Sequence, residues 1–365
     1  MSDPIQFVMV GGFLGAGKTT LIAKLAQKFQ AEGKHVCVVT NDQAAGLVDT
    51  ELLRSQGLEV NEVAGSCFCC NFNGLTDAME QFDRRQRPDV ILAEPVGSCT
   101  DLIATIAMPM MERLGGRFVH SPYAVLLKPS HGLRILSGQS GGFSPKAEYI
   151  FRKQLEEAEI VLLNRIDELS AEEVQRLSTY IHEQYPGREV IGISARTGEN
   201  LDAVFTSLHR IASPRDTTME VDYDVYAAGE AELGWLNCTC TLGGKRPIAL
   251  DAVATDLVEQ LRTQLLELSA EPAHLKVLCS SDGNTSVANL VSSDSSTFLS
   301  VSSDSQATEV KVLVNARVCL TPEALTLAVR TAIQSVADQF EATADISQLE
   351  SFRPGRPVPT HRVTR

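Results

Sequence analysis

Through the first two hundred residues, short and almost wholly apolar runs alternate with helical spacing, and each run ends in a small group of polar residues. The run at 5–10 passes into a glycine-rich segment and then into the helix-like spacing of 20–26. Further runs lie at 35–40, closing in Asn41, Asp42 and Gln43, at 90–93, closing in Glu94 and Gly97, and at 124–127, closing in Lys128. Two more lie at 160–163, closing in Asn164, Arg165 and Asp167, and at 190–193, closing in Ser194, Ala195 and Arg196. Runs this uniformly apolar, separated by helices such as 146–158, predict parallel strands covered on both faces. Ligands of open α/β sheets sit at the carboxyl ends of the strands, so these polar endings are expected to converge on one site.

The second half reads differently. Strands are expected at 234–242, 274–279, 287–291, 297–301 and 309–318, with helices at 250–268 and 322–337. That order suits a smaller α+β sandwich, with a ferredoxin-like arrangement among the candidates. The near-repeats at 291–296 and 301–306 predict exposed strand edges or a hairpin. Residues 212–218, rich in small and polar residues with Pro214, look like a linker. The expected division is an α/β P-loop domain with a mainly parallel sheet over 1–212, a linker over 213–221, an α+β domain over 222–340, and a tail over 341–365. Arg353, Arg356, Arg362 and Arg365, interspersed with prolines, make the end of that tail basic, and it is expected to be disordered.

Charge and composition narrow the setting. Among 365 residues, 46 acidic against 32 basic side chains give a net charge of -14, which argues against a general nucleic-acid or anionic-membrane surface and for soluble protein partners. No apolar run approaches a membrane span, and the first residues lack the basic and apolar regions of a signal peptide, so a cytoplasmic location is expected. In a reducing compartment the nine cysteines are core residues, metal ligands or redox groups rather than a disulfide framework.

The segment from Gly12 to Thr20 fits G-x-x-x-x-G-K-[ST] between a strand and a helix. Gly12, Gly15, Ala16 and Gly17 would turn backbone N–H groups around a phosphate at a helix N-terminus. Lys18 would reach the β- and γ-phosphates, and Thr19 would ligate Mg²⁺. Asn164-x-x-Asp167 suits guanine, because a carboxylate can accept from N1–H and the exocyclic amine together and would be left unpaired by adenine. Arg165 could lie over the base, and the loop of Ser194, Ala195 and Arg196 could present an N–H to the guanine oxygen. Glu94 and Gly97 stand where a Mg²⁺-linked carboxylate and a γ-phosphate-sensing N–H are needed, and Asp42 is a candidate for the metal or the attacking water. Helix capping is the plainer alternative for Glu94 and Asp42.

Three thiols, Cys67, Cys69 and Cys70, fall within four residues. They offer soft ligands for zinc or Cu(I), with a fourth ligand to come from elsewhere; small buried residues at a strand end are the alternative. Cys37, Cys99, Cys279 and Cys319 stand apart in sequence and are expected in the core. Cys238 and Cys240 would share one face of a strand.

The order of these motifs resembles the CobW-type GTPases, a metal-handling group that includes UreG, HypB and MeaB-like proteins. The resemblance covers about residues 5–210 and rests on Gly12 to Thr20, Cys67-x-Cys69-Cys70, Glu94-x-x-Gly97 and Asn164-x-x-Asp167. It implies GTP/GDP with Mg²⁺, zinc or a similar thiophilic metal on the cysteines, slow GTP hydrolysis, and delivery of metal to, or cofactor assembly in, a client metalloprotein or cofactor enzyme. Arg165 replaces the usual Lys, the segment at Asp42 is closer to UreG, and the seven histidines form no metal-storing tract. A GTP-dependent chaperone with structural cysteines and an ATP-using small-molecule kinase are the alternatives, and a homodimer is left open.

Overall fold

The protein is described here by a computed structural model covering residues 3–139, 144–212, 218–293 and 295–364. It divides into two compact units, one formed by 1–43, 56–229 and 356–365, the other by 44–55 and 230–355.

The first unit is built on eight strands: β1 (Ile5–Gly12), β2 (Val36–Asn41), β3 (Glu59–Val63), β4 (Val90–Glu94), β5 (Phe118–His120), β6 (Ala124–Leu127), β7 (Ile160–Leu163) and β8 (Glu189–Gly192). They run parallel in the order β3-β2-β4-β1-β6-β7-β8, with β5 beside the start of β1. Every residue of β2, β4, β6 and β7 is buried, which is why these strands read as unbroken apolar runs. At the edge, β3 alternates polar and apolar residues and gave no such run. The helices, in chain order across both units, are α1 (Lys18–Ala31), α2 (Val48–Ser55), α3 (Phe72–Arg85), α4 (Met108–Leu114), α5 (Pro129–Leu136), α6 (Pro145–Glu157), α7 (Ala171–Gln184), α8 (Leu201–Leu208), α9 (Tyr223–Glu230), α10 (Leu250–Glu267) and α11 (Pro322–Gln339).

The second unit is an antiparallel sheet of β9 (Gly234–Ala249), β10 (Pro272–Ser281), β11 (Asn284–Leu290), β12 (Phe298–Val301), β13 (Gln306–Val318) and β14 (Ala342–Phe352), ordered β12-β11-β10-β13-β9-β14. Cys238, Cys240 and Cys279 lie in the core between this sheet and α10 and α11, as expected for small apolar residues.

Three boundaries differ from expectation. The division falls at 229/230, inside the end of α9, instead of at 213–221. Residues 44–55 belong to the second unit, where Val48 and Leu52 of α2 pack on Leu278, Val287 and Leu313, Asp49 pairs with Lys276, and the Val48 N–H donates to the side-chain Oδ1 of buried Asn315 at 2.6 Å. The presumed tail is also ordered: 342–352 forms β14 along β9, and 356–364 packs in the first unit. Residues 213–217 of the linker, residues 140–143 ahead of α6, Asp294 of the first near-repeat and Arg365 lie outside the described residues. Among the described residues, no helix is long and apolar enough to cross a membrane.

Candidate functional site

The loop after β1 turns on three glycines at positive φ, Gly12 at 131°, Gly15 at 72° and Gly17 at 99°. A Cβ at Gly17 would come within 2.5 Å of the Asn164 amide nitrogen, so the loop both needs the left-handed backbone and lies against the next strand end. Ala16 closes the turn by donating to the Phe13 carbonyl at 3.1 Å. Lys18 and Thr19 begin α1, followed by the exposed Thr20. The Lys18 amine donates to the Gly12 carbonyl at 3.1 Å, and the Thr19 hydroxyl to Glu94 Oε1 at 3.0 Å. Gly97 approaches the same amine so closely that a Cβ there would sit 3.0 Å from it. Phosphate loop, Glu94 and Gly97 therefore form one place.

The ends of β7 and β8 meet this loop through Asn164. Its amide nitrogen donates to the Ala16 carbonyl at 2.7 Å, and its oxygen accepts from the Ala195 N–H at 3.0 Å. Arg165 takes the left-handed conformation, φ 61°, and pairs with Glu168. Burial works to raise the Asp167 carboxyl, but hydrogen bonds from Arg196 and Ser194 outweigh it and hold the group below the usual carboxylate range. Asp167 is thus an ionised acceptor at neutral pH, the form a guanine edge requires.

Asp42 follows β2 directly and Glu94 ends the neighbouring β4, with Thr40 opposite Glu94 in register, and both carboxylates are buried. Asn41 braces the loop that follows β3: its amide donates to the carbonyls of Val63 and Ser66 at 2.8 Å, and its oxygen accepts from the Phe68 N–H at 2.7 Å. That bracing aims the cysteine turn. The N–H groups of Cys70 and Asn71 donate back to the Cys67 carbonyl, and Asn71 caps α3. The sulfurs of Cys67 and Cys69 lie 3.0 Å apart, Cys67 and Cys70 3.2 Å, and Cys69 and Cys70 3.8 Å. Hydrogen bonds with its neighbouring thiols pull Cys67 well below the usual thiol range, and the same sharing pushes Cys69 well up and Cys70 up to about 11.

The nucleotide-binding domain described as CobW/HypB/UreG matches residues 6–192, just over half of the chain. The chain belongs to the CobW/HypB/UreG family. Among curated relatives, it is 26% identical over 230 residues to the zinc chaperone CobW of Sinorhizobium sp, covering 56% of this chain and 62% of that protein. It is 27% identical over 191 residues to the zinc chaperone YeiR of Escherichia coli, covering 50% and 53%. The chain thus spans little more than half the length of these relatives. Among solved structures, HypB from Helicobacter pylori in complex with nickel gives a TM-score of 0.41 at 16% identity, over 55% of this chain and 84% of that one. Zn(II)-bound YjiA GTPase from E. coli gives 0.39 at 15%, over 92% and 99%.

Two features beside the family motifs escaped the sequence. The segment 358–363 crosses the cysteine turn as a strap: the Val358 N–H donates to Cys70 Sγ at 3.2 Å, and Thr360 bonds the carbonyls of Cys69 and Cys70 at 2.8 and 3.0 Å. His361 meets Phe72 edge-on, and Arg362 pairs at 2.6 Å with Asp101, which also accepts from the Tyr223 hydroxyl. The basic tail finds its acidic partner within its own chain. A second trio, His35, Cys37 and Glu59, gathers on β2 and β3, with Arg85 also on Glu59.

Proposed function

We propose that the chain is a GTP-hydrolysing zinc carrier that loads the metal on Cys67, Cys69 and Cys70 and passes it to a client protein. The observation that carries the reading is the gathering of three thiols, all within 3.8 Å of one another, in the unit that holds the phosphate loop. Thiols brought this close supply a donor set suited to zinc or another thiophilic ion. The names of the relatives, zinc chaperones, agree with it.

The residues at the loop fit a magnesium nucleotide. The loop N–H groups and the Lys18 amine would take up phosphate charge, and Thr19 and Glu94, whose oxygens are 3.0 Å apart, would hold Mg²⁺ directly or through water. When bound, Mg²⁺ neutralises charge on the β- and γ-phosphates. Gly97 would sense the γ-phosphate from beside Lys18, and buried Asp42 would orient the attacking water. Asp167 would accept from guanine, with Arg165 over the base and the Ala195 loop held in place by Asn164. Because the loop of Glu94 and Gly97 continues into Asp101, which the strap over the cysteines grips, a change at the phosphates has a short covalent route to the metal site. Intrinsic hydrolysis is expected to be slow, with the client as trigger.

Calorimetry with GTP and ATP, and metal analysis of anaerobically purified protein, test the two halves separately. Tight GTP binding, weak ATP binding and one zinc per chain lost in Cys69→Ser are the expected results. Equal affinity for both nucleotides would remove the guanine reading, and absence of stoichiometric metal would return the cysteines to a structural role. Lys18→Ala should abolish Mg²⁺-dependent phosphate release.

A further inference from the structure

We propose that His35, Cys37 and Glu59 form a second zinc site, separate from the cysteine turn, with three protein ligands and a fourth position open to solvent. Cys37 is the second residue of β2 and Glu59 the first of β3, and they stand opposite each other in the parallel register. His35 precedes Cys37 by two residues, so along extended chain the two side chains leave the same face. His35 Nε2 and Glu59 Oε2 lie 3.5 Å apart, Cys37 Sγ and Glu59 Oε2 3.6 Å, and Cys37 Sγ and His35 Nε2 3.9 Å. Tetrahedral zinc, with Zn–S about 2.3 Å and Zn–N and Zn–O about 2.1 Å, calls for about 3.4 Å between nitrogen and oxygen and about 3.6 Å from sulfur to either. All three separations agree with these edges to within about 0.3 Å, so an ion enters with almost no rearrangement.

The surroundings prepare the trio for a cation. His35 Nδ1 lies 3.2 Å from the Arg87 carbonyl, an oxygen that can only accept, so in the neutral ring Nδ1 carries the proton and Nε2 turns its lone pair toward the other two groups. Imidazoles that bind metals make this same outer hydrogen bond, which fixes tautomer and ring orientation together. The His35 N–H donates to Asp89 Oδ2 at 2.7 Å and holds the backbone beneath the ring. Glu59 divides its oxygens: Oε1 pairs with Arg85 at 3.3 Å, while Oε2 faces the thiol and the imidazole. The ion pair with Arg85 accounts for Oε1, but not for the convergence of a thiol and a ring nitrogen on Oε2. The Cys37 S–H is directed at Oε2, and zinc would replace that proton. Cys37 is wholly buried, whereas the side chains of His35 and Glu59 are 25% and 32% exposed, so the ion would rest on the thiol with its fourth position toward water. Asn41, which braces the cysteine turn, lies four residues further along β2, about 13 Å away. With one thiolate against three, this is the weaker of the two sites, filled on titration and not retained through purification.

Zinc titration of the full chain against a chelating dye, under anaerobic conditions, should reveal two equivalents, the second weaker than the first. His35→Ala and Glu59→Gln, both at partly exposed positions, should weaken the second equivalent at least about 10-fold and leave the first unchanged, since loss of a direct ligand costs no less than loss of an outer partner. Cys69→Ser should do the reverse. With Cys67, Cys69 and Cys70 all replaced by serine, X-ray absorption at the zinc edge should count one sulfur and three lighter atoms around the remaining ion. Saturation of the wild type at one equivalent, a second equivalent untouched in both His35→Ala and Glu59→Gln, or no sulfur in the triple-serine chain would overturn the second site and leave the cysteine turn as it stands. A single equivalent lost in His35→Ala and retained in Cys69→Ser would instead remove the metal from the turn and keep it here. If the triple-serine chain does not fold, the titrations of the single variants decide.

Discussion

The ion pair of Arg362 with Asp101 should hold the strap over the cysteine turn, and a double-mutant cycle measures by how much. Asp101→Asn removes the charge while keeping an acceptor for the Tyr223 hydroxyl, and asparagine tolerates the left-handed φ of 66° at this position. Arg362→Ala removes the other partner. Breaking a fully buried pair costs about 3–5 kcal/mol. Asp101 is 1% exposed, but the Arg362 side chain is 26% exposed, so solvent screening reduces the expected coupling to about 1–2 kcal/mol. Cys70, half-buried beneath Val358, reports on strap opening through its alkylation rate in metal-free protein. Loosening the strap by that amount should raise the rate by about 5–30-fold in either single variant. The double variant should react scarcely faster than the singles. Additive effects, within about 0.3–0.5 kcal/mol, or an unchanged Cys70 rate would show that the pair does not hold the strap.

Gly17→Ala places a Cβ within 2.5 Å of the Asn164 amide at a φ of 99°, and should cost at least about 10-fold in GTP affinity by calorimetry without unfolding the second unit. Asp167→Asn should narrow the preference for GTP over ATP; because hydrogen bonds hold the wild-type carboxyl below its usual range, that preference should not change between about pH 6 and 8. Zinc must displace protons from Cys69 and Cys70, both pushed up, so its affinity should rise with pH, with proton release measurable in weakly buffered solution. Zinc affinity should differ between the GDP state and a non-hydrolysable GTP state by about 5–150-fold, with zinc shifting nucleotide affinity by the same factor; identical affinities would leave a static metal site.

Local chemistry was legible wherever a few neighbouring residues carry it. The phosphate loop is written in Gly12 to Thr19 because close backbone approach demands glycines at fixed intervals, and β2, β4, β6 and β7 announce themselves because burial on both faces confines polar residues to their carboxyl ends. Cys67, Cys69 and Cys70 needed only a turn to meet. Tertiary structure decided the rest. The edge strand β3 is half-exposed, and β14 alternates along β9, so neither carries an apolar run. Residues 44–55 join the second unit through Asp49 with Lys276 and Val48 with Asn315, contacts more than two hundred residues apart in sequence. The same holds for Arg362 and Asp101, separated by 261 positions, which order a segment whose prolines and arginines taken alone favour disorder.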